Sequence, residues 1–257
     1  MRLSANIGFL WPDRPLLSRI DAAAAAGFHA IELHWPYDIP AGEVRAACMR
    51  NNLQLLALNT PTGDRPGDFG LAAVPGREEE FRGAMRQAVD YAMAAGAGAV
   101  HVMAGCVSPD ERERAKLTII ENLRFASQLA GPQGIRLLLE PINHIDRPGY
   151  FYDRVEDALE IIEQVGDDRL SLMFDCYHVQ VAQGDVTRRL GRHAGRIGHV
   201  QIAAAPSRAE PDEGELDYRA VFATLREMDY RGWIGCEYKP RHDTNAGLAW
   251  RQRFQAA

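Results

Sequence analysis

The chain lacks the cysteine pairs and the excess of basic residues that mark several protein classes. Its four cysteines, Cys48, Cys106, Cys176 and Cys236, are scattered and form no Cys-x-x-Cys pair. The sequence therefore indicates neither a zinc knuckle nor a disulfide framework, and we expect reduced, mostly buried thiols. A formal net charge of -6 disfavours nucleic acid as the main partner.

Long hydrophobic runs are also missing. The longest apolar stretch near the N-terminus, Ala22 to Ala26, is far too short to span a bilayer. Residues 1–10 run directly into Trp11-Pro12-Asp13-Arg14, without the apolar core and small-residue cleavage site of a signal peptide. We therefore expect a cytoplasmic protein with no membrane partner.

Hydrophobic residues make up 46% of the 257 residues and charged residues 25%, which is ordinary globular usage. The length suits one α/β barrel or two ordinary domains. Eight short apolar runs alternate with longer amphipathic stretches, which is the pattern of strands alternating with helices. The predicted strands are Leu3 to Phe9, Ala30 to His34, Leu53 to Asn59, Ala99 to Met103, Ile135 to Glu140, Leu170 to Asp175, Ile197 to Gln201 and Trp233 to Glu237.

Strands separated by helices pair in parallel through right-handed crossovers, and eight units of about 32 residues favour closure into a barrel. We therefore predict an α/β protein in which residues 1–257 form a single (β/α)8 TIM barrel domain. A doubly wound open sheet is the structural alternative. No Gly-x-Gly-x-x-Gly follows the first strand, so the dinucleotide-binding version has no support, and we expect no organic cofactor.

Several helix ends can also be predicted. One helix should span Arg77 to Ala95 and end at Gly96, and another should span Pro109 to Leu129 with Ser108 as its N-cap. Two more should begin near Asp153 and near Asp217. The loops Asn59 to Gly76 and Pro206 to Glu215 each follow a strand, so they should lie at the barrel's carboxyl-terminal face, where barrel active sites are found.

The last four predicted strands each end in a side chain that carries oxygen: Glu140, Asp175, Gln201 and Glu237. Neighbouring strands lie about 4.8 Å apart, so these four side chains can converge on one ion. Three crowded carboxylates would repel one another, and a divalent cation would remove that cost. Oxygen ligands favour Mg²⁺ or Mn²⁺ over zinc. The alternative is that these residues cap helices or form separate salt bridges.

Two further polar residues follow these strand ends. His178 lies three residues after Asp175, where it could reach a substrate or a ligand, although an isolated loop histidine is often only solvated. Lys239 has the same strand parity as Glu237, so it could find a carboxylate partner inside the barrel mouth. Its alternative is an exposed salt bridge of little energetic value.

At these residues the sequence resembles the hydroxypyruvate isomerase family of the xylose-isomerase-like barrels. The resemblance covers nearly the whole chain. It is carried by Ser4-Ala5-Asn6, Pro36-Tyr37, Pro75-Gly76-Arg77-Glu78, His101 to Gly105, Glu140 to Asn143, Pro148 to Phe151, His199 to Ala203 and, most specifically, Gly232 to Pro240. The chain departs from the family pattern at Ser207 and Ala209, where Gly and His are common, and at His34 and Trp35.

The resemblance implies a metal held by Glu140, Asp175, Gln201 and Glu237, with Glu140 and Glu237 also acting as the acid-base pair. It further implies that Arg208 is a substrate-loop arginine. The expected reaction interconverts hydroxypyruvate and tartronate semialdehyde through an enediolate, with the substrate carboxylate held by Lys239, His178 or Arg208.

Three other functions stay open at this point. The same chemistry would serve isomerisation of a four-carbon 2-oxo-tetronate or epimerisation of a related sugar acid. A barrel endonuclease for DNA repair would need more histidine ligands at strand ends than the chain provides. A sugar-acid binding protein without turnover is the third possibility. The exposed aromatic loops at Trp11 and Trp35 could cover the substrate or pack on a second subunit of a homo-oligomer.

Overall fold

Eight parallel strands form a closed barrel in the computed structural model, which describes residues 1–255. The strands are β1 (Arg2–Asn6), β2 (Ala30–Glu32), β3 (Gln54–Asn59), β4 (Ala99–His101), β5 (Arg136–Leu139), β6 (Leu170–Asp175), β7 (Ile197–Ile202) and β8 (Trp233–Cys236). Each strand pairs with the next one in sequence, and β8 closes on β1. The predicted (β/α)8 barrel is thus confirmed, and the doubly wound sheet is excluded.

Helices surround this barrel. They are α1 (Leu16–Ala25), α2 (Ala41–Arg50), α3 (Glu78–Ala95), α4 (Arg112–Ala130), α5 (Val155–Val165), α6 (Cys176–Ala182), α7 (Val186–Arg192), α8 (Tyr218–Glu227), α9 (Thr244–Gly247) and α10 (Trp250–Gln255). Over residues 1–255, none of the helices has the length and apolar character needed to cross a membrane.

Three predicted helix ends lie where the sequence places them, and one of them lacks its side-chain capping bond. Gly96 ends α3 in the left-handed conformation with φ +82, as predicted, and the Asp217 carboxylate caps α8 by accepting the backbone N–H of Arg219. Ser108 stands at the predicted N-cap position, with Pro109 first in the helical segment, but its side chain makes no capping hydrogen bond. A 3-10 turn precedes α4 there, and the Ser108 hydroxyl donates to the Glu111 carboxylate, which leaves the backbone N–H groups uncapped by this side chain.

Most strands end one to three residues earlier than predicted, and at β1 a polar side chain accompanies the turn of the chain. At the end of β1 the Asn6 side chain accepts the backbone N–H of Gly8, and the Asn6 carbonyl accepts that of Leu10. Glu140 and Glu237 likewise lie one residue beyond β5 and β8. The chemistry-bearing residues therefore sit at the rim of the sheet, where their side chains can face a cavity.

Two apolar clusters hold the fold together. The larger one fills the space between the barrel and the helices. In α5, for example, the buried residues lie on one face of the helix and pack into this cluster: Val155, Ala158, Ile161 and Ile162. The smaller one takes a single residue from each of β3 to β6, namely Ala57, Ala99, Leu138 and Met173. By strand parity this second cluster packs the barrel interior beneath the carboxyl-terminal mouth.

Candidate metal centre and active site

The four side chains predicted to bind a metal lie together at the carboxyl-terminal mouth. Asp175 pairs with Gln201 in the register of β6 and β7, so the two side chains occupy adjacent positions on neighbouring strands. Glu140 follows β5 and Glu237 follows β8. All four residues are buried, with at most 6% of their surface exposed. The strand parity used in the prediction therefore places them as expected.

Three of these residues each keep one buried oxygen without a hydrogen-bond partner among residues 1–255. The atoms are Glu140 Oε1, Asp175 Oδ2 and Gln201 Oε1. A buried acceptor left unpaired costs stability, so such atoms call for an explanation. Carboxylate and amide oxygens are the ligands that hard divalent cations take in proteins. The donor set therefore fits a divalent cation.

Charge crowding supports the same conclusion. Burial, together with the negative charges of Glu237 and Asp175, holds the pKa of Glu140 well above its usual range. Burial also raises the pKa of Asp175 to about 7, although the Arg208 guanidinium opposes that shift. Without a cation, the folded protein thus favours protons on these two carboxyl groups. A bound cation would compete with those protons for the same oxygens.

Glu237 has a different environment. One carboxylate oxygen lies 2.9 Å from both Asn6 Nδ2 and His34 Nε2, and the other accepts from Arg208 Nη2 at 2.9 Å. Burial alone would raise the pKa of Glu237, but the His34 hydrogen bond and the Arg208 charge lower it to about 2. Glu237 is therefore ionised and already surrounded by donors.

His178 completes a cluster with Glu140 and Asp175. Its Nε2 lies 3.8 Å from Glu140 Oε1 and 3.7 Å from Asp175 Oδ2, and one ligand atom from each residue lies within 4.8 Å of the others. The other ring nitrogen, Nδ1, accepts from the side-chain and backbone N–H groups of Asn143, at 2.6 and 3.3 Å. Burial lowers the pKa of His178, so the ring is neutral and carries its proton on Nε2. His178 therefore presents an N–H donor to the centre rather than a lone pair.

Arg208 reaches the same centre from the loop after β7. Its Nη2 lies 2.9 Å from Glu237 Oε2 and 3.6 Å from Asp175 Oδ2, and its Nη1 lies 3.3 Å from Asp146 Oδ2. The backbone at Arg208 is left-handed, with φ +54, which turns the side chain back toward the barrel. The loop position predicted for Arg208 is thus close to the metal cluster, where its charge is already matched by carboxylates.

A cavity of about 390 Å³ opens above these groups. Its lining includes predicted residues (Glu140, His178, Arg208, Glu237 and Lys239), aromatic residues (Phe9, Trp35 and Phe69) and three basic ones from outside the predicted site (His34, His101 and Arg147). Asp175 and Gln201 lie below the lining. The cavity is at the small end of the range for ligand pockets, which suits a small polar molecule.

Two cations of this lining have no carboxylate within 4.0 Å among the residues that the structure describes: Lys239 and Arg147. The Lys239 ammonium lies 5.7 Å from the centre of the Phe9 ring, so the carboxylate partner predicted for it inside the mouth is absent from residues 1–255. The Arg147 guanidinium lies 3.7 Å from the centre of the Phe69 ring. Both cations face the cavity and can accept an anionic group.

Sequence patterns alone missed several of the polar residues at this mouth. Glu32 and His34 share the parity of a predicted strand, so that alternation could have revealed them. Asn143 and Arg147 lie in the loop after β5, where no periodicity fixes the direction of a side chain. These residues connect the predicted cluster to the β1–β2 side of the barrel and to the cavity rim.

The family model and the similar proteins place the chain in the same family. A family model described as a xylose isomerase-like TIM barrel matches residues 20–254. A 2-oxo-tetronate isomerase from Cupriavidus necator is 46% identical over 255 residues, with 98% of each chain covered. The hydroxypyruvate isomerase of Escherichia coli is 38% identical over 257 residues, with 99% of this chain and 100% of that one covered. A solved structure from Brucella melitensis, named as an AP endonuclease of family 2, is 39% identical with a TM-score of 0.95 and 98% coverage of each chain.

Proposed function

The chain belongs to the xylose isomerase-like TIM barrel family, and on this premise we propose that it is a metal-dependent isomerase of small hydroxy-carbonyl acids. One observation carries the proposal. The unpaired oxygens of Glu140, Asp175 and Gln201 lie with the Glu237 carboxylate at the mouth of the barrel, beside a cavity of small-molecule size. Such a set of oxygen donors beside a substrate-sized cavity fits metal-assisted proton transfer next to a carbonyl group.

Glu140, Asp175, Gln201 and Glu237 are the residues that would hold the metal, and their oxygen ligands favour Mg²⁺ or Mn²⁺. When bound, the divalent cation supplies positive charge that stabilises the enediolate as it forms. We propose no organic cofactor. His178 is better suited to the substrate than to the metal, because its Nε2–H can donate to a substrate oxygen.

Glu140 and Glu237 are the proposed acid-base pair. In hydroxypyruvate, one carboxylate accepts a proton from C3, which leaves an enediolate across C2 and C3. A proton is then delivered to C2, and the hydroxyl proton of C3 moves to the C2 oxygen, which gives tartronate semialdehyde. Both glutamates line the cavity, so each can reach a substrate carbon from its own side, and the reverse reaction exchanges their roles.

Arg147 and Lys239 are the proposed partners of the substrate carboxylate. Arg208, the arginine expected from the family resemblance, is held by Glu237 and Asp146, so its charge is already compensated. Arg147 and Lys239 face the same cavity without a carboxylate of their own among residues 1–255. An incoming acid would pair with one of them and still place its hydroxy-carbonyl end near the glutamates.

A four-carbon 2-oxo-tetronate is the second candidate substrate. The relative with 46% identity is named for that activity, and a cavity of about 390 Å³ has room for one more hydroxymethylene group than hydroxypyruvate carries. The chemistry at C2 and C3 would be the same for both acids. The two candidates therefore differ in how the far end of the chain fits beside the aromatic rim.

The test is turnover of both acids by the purified protein with Mg²⁺ or Mn²⁺, followed by NMR of substrate and product. We expect turnover that is lost on chelation and restored by metal, and the ratio of kcat/KM values ranks the substrates. A protein that binds these acids without converting either one would be a binder, which contradicts the proposal. Salt-sensitive binding and cleavage of abasic duplex DNA, with no acid turnover, would instead support a nuclease.

A further inference from the structure

Glu32, at the end of β2, lies next to the proposed metal ligand Gln201. The Glu32 Oε2 atom accepts the Gln201 Nε2–H at 2.8 Å. Ser4 donates to the other oxygen, Oε1, at 2.5 Å, and His199 Nε2 lies 3.0 Å from the same oxygen. All four residues are buried, and Glu32 is 2% exposed. The sequence gives no role to this carboxylate, and the proposed reaction does not use it.

The direction of the Gln201 amide follows from the chemistry of Glu32. An ionised carboxylate only accepts hydrogen bonds, so it takes the NH₂ end of the amide and leaves the Oε1 end pointing away from it. That Oε1 atom is one of the three buried oxygens without a hydrogen-bond partner among residues 1–255. An amide binds a hard cation through its oxygen, so the amide must have this orientation to serve as a ligand.

The surroundings keep Glu32 in place. Ser4 Oγ and His199 Nε2 both approach its Oε1 atom, which leaves Oε2 to the Gln201 amide. Gly235 leaves the necessary space on β8. A Cβ atom at Gly235 would come within 2.4 Å of Glu32 Oε1 and 2.9 Å of Gln201 Cγ. The Glu32–Gln201 contact is therefore built from four strands: β1, β2, β7 and β8.

We propose that Glu32 is a positioning residue, which fixes the Gln201 amide so that its oxygen faces the metal. The proposal rests on the proposed function, because it assumes that Gln201 is a ligand. Second-sphere partners of this kind orient ligands in metal sites, and their loss typically weakens metal binding by about 10- to 100-fold. Glu32 itself has no contact with the cavity, since it is absent from the lining.

The experiment measures Mn²⁺ affinity of chelator-stripped protein, by electron paramagnetic resonance of the free ion. E32Q can donate as well as accept, so Gln201 is released to turn either way, and we expect affinity to fall by about 10- to 100-fold. S4A is the matched control. It removes a buried hydrogen bond to the same carboxylate but leaves the contact with Gln201 intact, so its affinity should stay within about threefold of the wild type.

A reversed pair separates positioning from simple loss of structure. In E32Q/Q201E the amide stands on β2 and the carboxylate on β7, so the donor and acceptor have exchanged places and an oxygen still faces the metal. We expect this double variant to bind Mn²⁺ at least several-fold more tightly than E32Q. If E32Q cannot be purified, E32D replaces it, because its carboxylate is one methylene shorter and is withdrawn from Gln201.

The proposal is overturned if E32Q binds Mn²⁺ as tightly as the wild type, or if the double variant is no better than E32Q. E140Q distinguishes this failure from failure of the metal centre itself. If the wild type binds no stoichiometric Mn²⁺, or if E140Q binds it unchanged, the proposed centre is wrong. If E140Q loses the ion while E32Q keeps it, the centre stands and only the role of Glu32 is refuted.

Discussion

Glu140 and Glu237 have the same side chain, the same depth of burial and equivalent places one residue beyond a strand, yet their surroundings are opposite. Glu237 takes contacts from Asn6, His34 and Arg208. Glu140 has an oxygen without a hydrogen-bond partner among the described residues, and its pKa is raised where that of Glu237 is lowered. The barrel therefore stabilises one ionised carboxylate and leaves the other in need of a cation.

This difference gives the proposed metal site a fixed side and an open side. Donors from β1, from the segment just after β2 and from the loop after β7 fix the Glu237 carboxylate. On the other side, Glu140 Oε1 and Asp175 Oδ2 have no hydrogen-bond partner among the described residues. His178 Nε2 lies 3.8 and 3.7 Å from these two oxygens, and Arg208 Nη2 lies 3.6 Å from Asp175 Oδ2. A cation bound there would gain most from the unpaired oxygens of Glu140 and Asp175. The fixed Glu237 carboxylate would determine where that cation lies.

The largest expected effect is on turnover, where the two glutamates should behave alike despite their surroundings. Because a proton must leave one carbon and return to the next, E140Q and E237Q should each lower kcat by about three orders of magnitude or more. Steady-state kinetics at saturating Mn²⁺ measure this loss. Circular dichroism and Mn²⁺ titration of each variant control for misfolding and for loss of the metal. A variant that keeps more than a tenth of wild-type kcat would remove its glutamate from the acid-base pair.

The next effect separates the two glutamates, because their substitutions should change the stability of the metal-free protein in opposite directions. E237Q takes the counter-charge from buried Arg208 and should destabilise the fold by about 3 kcal/mol. E140Q removes a carboxyl group whose ionised form burial and neighbouring charges disfavour, and should stabilise the metal-free fold at pH 7. Urea unfolding in the presence of a chelator measures both. If both substitutions change the free energy of unfolding in the same direction, the contrast drawn between Glu140 and Glu237 is wrong.

The pH dependence of those differences sharpens the test. The raised pKa of Glu140 means that the folded state binds its proton more tightly than the unfolded state does. The contribution of Glu140 to stability is therefore fully present below about pH 4.3, its pKa in the unfolded state, and is lost as pH rises toward its pKa in the folded state. The advantage of E140Q should accordingly grow from pH 5 to pH 7. The Glu237 contribution is present above about pH 4.3 and is lost as pH falls toward 2, so the deficit of E237Q should stay constant over the same range.

The barrel and the meeting of four oxygen-bearing side chains at its mouth could be predicted from sequence because both depend on local periodicity. Alternation fixes which face of a strand a residue occupies, and this was enough to bring Glu140, Asp175, Gln201 and Glu237 to one mouth. Ser108 also stands at its predicted N-cap position, but its hydroxyl donates to the Glu111 carboxylate and caps no backbone N–H. The local turn decides between these partners, and propensity does not determine that choice.

The supporting residues were harder to predict, because their roles depend on contacts between distant parts of the chain. Glu32 and Gln201 are 169 residues apart in sequence, and Asn6 and Glu237 are 231 apart. The direction of Arg147 depends on the Phe69 ring from another loop. Strand closure brings such pairs together, and only the folded barrel shows which carboxylate is saturated with donors and which is open.

The smallest expected effect concerns substrate binding at the cavity rim, where the unpaired cation Arg147 contrasts with Arg208. R147M keeps a long apolar side chain against Phe69 but removes the charge that would hold the substrate carboxylate. A hydrogen bond to a charged group contributes about 1.5 to 3 kcal/mol, so KM should rise about 10- to 100-fold with kcat changed by less than about threefold. K239M is the matched variant, because Lys239 is the second cation of this lining without a carboxylate within 4.0 Å in the described part of the chain. If R147M leaves KM unchanged and K239M raises it, the carboxylate lies on the Phe9 side of the cavity. If both variants leave KM unchanged, neither cation binds the substrate acid. The absence of a carboxylate partner would then not identify the residue that binds the substrate.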